Sequence, residues 1–286
     1  EASAETAAEN SRPANSGQKY VMRVGAATNK DGHVYIMEQF KKEVEARTDQ
    51  ISVELYPGCQ LGSNTQMLQD LTANGIQGLV EPAAFLGVFQ PGACVINLPY
   101  LFPDAETEVA IMNGECGDYY REYLRKINID VLGWYIYGVN RGFNTKFPLA
   151  KDQTLSNAFS GKKIRVMGSQ ILLDQANMLG ASAVTMDVPE VYTALQQGTI
   201  EGMGVAPIFA ADGSYYEVAP YMIMTDGDFE VSQFMVNAEW LDSLPQDLYD
   251  AVKEASEVIM ERTIEYSHKA QDEALAKIEE NGGTVI

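Results

Sequence analysis

An arginine set inside an apolar strand is the residue of this chain that most suggests chemistry. In Lys163-Ile164-Arg165-Val166 strand neighbours face opposite ways, so Arg165 points away from the side that Ile164 and Val166 bury. Two fates suit a guanidinium there. It pairs across the sheet with a carboxylate of the chain, or it forks onto a ligand carboxylate, whose two oxygens match its planar donors. Arg141, in Asn140-Arg141-Gly142, follows a strand expected over 131–137 and reads either as a solvated loop residue or as a second anion-binding group. Glu81 ends a strand expected over 76–80, at a carboxyl edge where ligands sit in open α/β sheets. A carboxylate buried there requires a partner. A ligand amine or hydroxyl, or one of the arginines in the empty site, would supply it.

Other candidates surround these charges. Asn64 follows Gly62-Ser63 at a helix start and is either part of the cap or a polar pocket residue. Phe85, Trp134, Tyr135 and Phe229 are candidates for an apolar wall, and so is Val205; Tyr192 reads as core. Catalytic and metal-binding patterns are absent. His33 and His268 form no HxxxH or HExxH pair, and Cys59, Cys94 and Cys116 have no metal-ligand spacing. The three cysteines allow one disulfide at most. Neither GxSxG, a P-loop nor GxGxxG occurs. No metal and no cofactor is expected.

The elements that must hold these residues follow from spacing. Strands are expected at 20–26, 51–55, 76–80, 131–137, 163–166 and 233–236. Helices are expected at 34–47, from Ser63 onward, from Asp104, over 118–127 and 169–179, from Asp187 to Gly198, and from Pro245 to 280. Asp187-Val188-Pro189-Glu190 has the form of a capping box: Asp as N-cap, Pro inside, Glu three after the cap. Tyr215, Tyr216 and Tyr221 are expected to pack at the surface. Alternating strands and helices on either side of two passages, near 137–141 and 225–228, predict two α/β lobes. The implied division is 1–18 as a flexible N-terminus, 19–138 plus 228–245 as one lobe, and 139–227 plus 246–286 as the other. Residues 1–18 contain no Val, Ile, Leu or aromatic residue, as expected of a mature N-terminus after a removed export signal.

Composition removes whole classes of function. Lys+Arg 20 against Asp+Glu 40 gives a net charge of −20, which repels nucleic acid and anionic lipid. It repels anionic ligands at long range too, so an anion site must rest on a local arginine cluster. No apolar run is long enough to span a membrane.

Two motifs carry a family likeness: Gly161 to Ser169, GKKIRVMGS, and Glu190 to Gly202, EVYTALQQGTIEG. With FKKEVEARTDQISVELYPGCQLGSNTQML, VINLPYLF and NRGFNTK, they make the chain after residue 19 resemble the periplasmic solute-binding proteins of TRAP transporters, the DctP-type family. The resemblance implies a two-lobed clamp that bends about a hinge, with a long C-terminal helix, and no enzymatic role. It implies a periplasmic monomer that captures a small organic acid and delivers it to TRAP permease subunits. Arg165 matches the family's main carboxylate clamp, and Arg141 its second arginine. One departure stands out. The family's E-N-P, whose asparagine meets the ligand, is replaced in Gly204-Val205-Ala206-Pro207 by small apolar residues. This argues against a C4-dicarboxylate pocket and for a partly apolar monocarboxylate: an aromatic or branched 2-keto acid, or an amino acid with its ammonium at Glu81. The alternatives are a hydrolase or lyase acting on carboxylates on the same scaffold, and a sensor of the same ligands.

Overall fold

A computed structural model describes residues 12–225 and 229–286. The chain opens with β1 (Tyr20–Gly25), α1 (Gly32–Arg47), β2 (Ile51–Tyr56), α2 (Asn64–Thr72) and β3 (Gly78–Pro82). Two 3₁₀ segments, Ala83–Val88 and Pro91–Asn97, lead to α3 (Ala105–Met112), α4 (Glu115–Arg125) and β4 (Ile129–Gly138). A second run holds β5 (Gly142–Thr145), α5 (Leu155–Phe159), β6 (Lys163–Val166), α6 (Gln170–Met178), β7 (Ser182–Thr185) and α7 (Val188–Gln197). Then come β8 (Gly202–Val205), α8 (Pro207–Asp212) and β9 (Tyr221–Met224). The chain ends with β10 (Glu230–Asn237), α9 (Ala238–Asp242), the 35-residue α10 (Gln246–Glu280) and β11 (Thr284–Val285).

The strands form two sheets. The first has the order β2-β1-β3-β10-β4, the second β11-β9-β5-β8-β6-β7. β1, β2 and β3 run parallel, and β10 enters antiparallel between β3 and β4. The chain passes between sheets at 139–141, from β4 to β5. It returns between β9 and β10; of the passage expected at 225–228, residues 226–228 lie outside the described residues. α10 serves both sheets. Leu248, Val252, Ala255 and Ile259 pack in the core beside β1 and β2, while Ala274 and Ile278 join the core beside β8. Among the described residues no helix is long and apolar enough to cross a membrane.

Several elements differ from expectation for identifiable reasons. α1 starts at Gly32 because the Asp31 side chain accepts from His33 N, capping the helix two residues early. β10 extends back to Glu230, although Glu230, Ser232 and Gln233 give it no apolar alternation. All eight of its residues are buried, because it is a central strand covered on both faces. β5, inside NRGFNTK, is a buried four-residue strand too short to show a period. Tyr215 is buried, stacked 5.1 Å from Phe209, and does not pack at the surface. Of the segment 1–18, residues 1–11 lie outside the described residues. Arg12 stacks 3.5 Å over Tyr249 and donates to the Leu241 carbonyl. Cys59, Cys94 and Cys116 are free thiols.

Candidate functional site

Between the two sheets lies a narrow cavity. From the side of the first sheet it is lined by Ala27, Thr28, His33, Glu81, Phe85 and Glu230. From the side of the second, Arg165, Met167, Val188, Val205 and Phe209 face it. The walls are mainly apolar, and the charges are few and buried.

β6 carries Arg165 as its third residue, opposite Met203 of β8 and Val184 of β7. The side chain is only 2% exposed. Its Nε donates to the Met186 carbonyl at 2.9 Å, which fixes the plane of the guanidinium, while Nη2 finds no acceptor among the described residues. Burial lowers its pKa to about 10, so it remains cationic at neutral pH. A buried donor without an acceptor costs the full desolvation of that group, and a ligand oxygen relieves it.

Glu81 is as deeply buried, and burial raises its carboxyl to about 8 against the opposing pull of two donors. Ala27 N donates to Oε1 at 2.7 Å and Asn64 Nδ2 to Oε2 at 3.1 Å. Neither arginine pairs with it. Instead Arg141 Nε lies 3.1 Å from the Glu230 carboxylate, an ion pair with both side chains buried. Glu230 was missed because it is one of 40 acidic residues and opens a strand that shows no alternation.

Behind these charges sits a buried polar network. His33 stacks on Tyr137 at 4.1 Å and meets Ser232 Oγ through Nε2 at 2.6 Å and Thr28 Oγ1 through Nδ1 at 3.2 Å. Burial lowers the imidazole to about 3, so the ring is neutral. Tyr137 Oη donates to Asp31, whose carboxyl is raised by burial. No group of three or more His, Cys, Asp or Glu side chains that could hold a metal ion occurs among the described residues.

The model of bacterial extracellular solute-binding protein family 7, DctP, matches residues 24–286. The chain belongs to this family. Among its relatives is a solute-binding protein of Chromohalobacter salexigens, 27% identical over 224 residues, which are 77% of this chain and 65% of that protein. The chain thus spans just under two thirds of that relative's length. The ectoine/5-hydroxyectoine-binding periplasmic protein of Ruegeria pomeroyi is 26% identical over 246 residues, 85% of this chain and 71% of the relative. A TRAP periplasmic solute-binding protein of Desulfovibrio salexigens, solved with bound orotic acid, superposes with a TM-score of 0.87. It is 26% identical and covers 93% of this chain and 85% of its own. The architecture is therefore the two-lobed α/β clamp of TRAP periplasmic solute-binding proteins, a family of transport proteins.

In this DctP-family chain the structure brings Arg165, Glu81, Phe85 and Val205 to one cavity. Arg141 stands behind Glu230, which lines it. Four expected wall or pocket residues lie elsewhere. Tyr135 is buried in the core under α10, its hydroxyl 2.6 Å from Ser256 Oγ. Trp134 is sunk in the core of the first sheet, edge-on to Tyr120 at 5.7 Å and under the Arg121 guanidinium, because its β4 position faces α4. Phe229 lines a separate crevice with Ile96, Phe102 and Glu108. Asn64 is fully buried and does not line the cavity itself, touching it through Glu81 and the Val188 amide. Met167 and Phe209 were not foreseen, since an apolar residue beside a cavity has the same pattern as one in a core. The missing asparagine has a packing counterpart. A Cβ placed on Gly138 would lie 2.5 Å from the Ala206 Cβ, so position 138 is held to glycine where β4 meets the start of α8.

Proposed function

We propose that this protein is the extracytoplasmic solute-binding component of a TRAP-type transporter. In this reading it captures a small, partly apolar monocarboxylate and hands it to membrane permease subunits. Its work is binding, in the periplasm, as a monomer and without a cofactor. The observation that carries the reading is the Arg165 Nη2, buried against the cavity with no acceptor among the described residues. The lobes proposed are 19–138 plus 228–245 and 139–227 plus 246–286, with α10 packed on both, and ligand carboxylate on Arg165 would favour their closed arrangement.

Charge narrows the cargo. Arg141 is already matched by Glu230, which leaves Arg165 to balance one carboxylate. A C4-dicarboxylate would bury its second carboxylate without a cation of its own, because Arg165 serves only one and Arg141 is held by Glu230, at several kcal/mol by order of magnitude. Phe85, Met167, Val205 and Phe209 suit a branched or aromatic body. Glu81 has no cationic side chain on it, and a relative at 26% identity is named for ectoine. Both support an amino-acid-like ligand with its cation at Glu81. In a 2-keto acid, the protonated Glu81 would donate to the keto oxygen instead.

A thermal-shift screen of 2-keto acids, branched and aromatic amino acids, ectoine and C4-dicarboxylates tests this. A ligand at a hundredfold its Kd stabilises by about 2.7 kcal/mol. Stabilisation only by dicarboxylates, or only by compounds without a carboxylate, rejects the reading. Titration calorimetry in buffers of different ionisation enthalpy separates the two monocarboxylate classes. At pH 7 a zwitterion that ionises Glu81 releases close to one proton, and a 2-keto acid releases none.

A further inference from the structure

The N-termini of α2 and α7 face each other across the cleft, and each is capped by a side chain of the other. Asp187 occupies the N-cap position of α7 with extended backbone, yet its side chain makes no bond to its own helix. Its Oδ2 accepts from Thr65 N and its Oδ1 from Thr65 Oγ1, both at 3.2 Å, at the start of α2. In return Asn64 Oδ1 accepts from Val188 N, the first amide of α7, at 3.0 Å. The backbone amide of Val188 is donor only, so it fixes which end of the Asn64 amide faces it. Nδ2 is then turned onto Glu81 at the cavity wall.

We propose that Asn64 and Asp187 are positioning residues that exchange caps as the cleft opens and closes. In the closed arrangement they cap in trans, and Asn64 presents its amide to Glu81. On opening, a rotation of the Asp187 side chain returns it to α7. The Asp-x-x-Glu spacing around Pro189 encodes that cis cap. Proline at the second helical position has no N–H, and Val188 has lost Asn64, so the target is Glu190 N. At present that amide has only a long 3.3 Å bond to the Asp187 carbonyl. Opening therefore does not strand Asp187, and closure organises the ligand-facing carboxylate through one amide side chain. The inference depends on reading the structure as the closed form of a solute-binding clamp, but its test needs no ligand.

Amide hydrogen exchange read by NMR on the ligand-free protein reports the exchange directly. In Asn64→Ala, the Thr65 amide should lose protection about fivefold to tenfold while that of Glu190 gains it, with an increase in radius of gyration by X-ray scattering. Asp187→Ala should leave both amides weakly protected. Asp187→Asn, which keeps the shape and capping ability, should restore the reciprocal pattern and shows that loss is not misfolding. If the wild type is already open in solution, Thr65 should be unprotected and Glu190 protected. Concerted loss at both amides with Asp187 intact, or, where the wild type protects Thr65, unchanged protection of that amide in Asn64→Ala, overturns the proposal. A wrong ligand class would leave these outcomes untouched.

Discussion

Arg165 holds a charge where water cannot reach it, with one nitrogen committed to a carbonyl and another to nothing in the described chain. Arg165→Ala should weaken carboxylate binding by about 3 kcal/mol, roughly a hundredfold in Kd by calorimetry. Arg165→Lys should recover little of that, because an ammonium cannot make the forked pair. Glu81 and His33 make the stability of the empty protein depend on pH in opposite senses. Glu81 is raised to about 8, so the folded state holds a proton that the unfolded chain releases above about 4.5, and stability falls as pH rises between those values. His33 is lowered to about 3, so its contribution is lost as pH falls from about 6.5 toward 3. The two slopes oppose each other below 6.5 and leave Glu81 dominant from 6.5 to 8. There, urea unfolding should lose about 1.4 kcal/mol per pH unit, and Glu81→Gln should remove that slope. A flat wild-type profile would mean that Glu81 is ionised in the fold. Arg165 was legible in the sequence because a charge in an apolar strand is conspicuous. Glu230, an equally buried charge, was not, since nothing local distinguishes it from the acidic surface.

Elements were read best where capping and periodicity agree. β6 has the limits expected, and α10 ends where Asn281-Gly282-Gly283 stops it. Periodicity alone could not say how deep a position lies, and α10 shows the difference in energy. Ile259 and Arg262 share one side of the helix by spacing, yet Ile259 is fully buried in the core while Arg262 is partly exposed and pairs with Glu43 at 2.7 Å. Ile259→Ala should cost about 2–5 kcal/mol in denaturant unfolding, from lost transfer energy and the cavity left behind. Arg262→Ala should cost less than about 1 kcal/mol, as partly solvated ion pairs usually do. Similar losses for both would mean that the Arg262 stem, rather than its charge, is part of the packing. Asp187 is the opposite case. Its local pattern was read correctly as a cap, but a tertiary neighbour took the side chain, and no local spacing could have revealed that.

At the scale of the molecule, β-α-β grammar on both sides of two passages was enough to predict the clamp, because parallel strands demand helical crossovers whatever the cargo. The cargo itself depends on side chains 24 to 149 residues apart in sequence, as the Arg141-to-Arg165 and Glu81-to-Glu230 separations illustrate, and their meeting is a product of the fold. The global field then acts against the local site. With a net charge of −20, an approaching anion is repelled until it comes within reach of Arg165. Screening shortens that repulsion from about 30 Å at 10 mM salt to about 8 Å at 150 mM. Stopped-flow association of a 2-keto acid should therefore accelerate severalfold over that range, whereas a zwitterionic amino acid should be nearly indifferent. Dissociation, governed by the buried guanidinium, should change little for either. If the anion instead associates more slowly as salt rises, the arginine field must extend beyond the cleft, and capture is steered by the site rather than hindered by the surface.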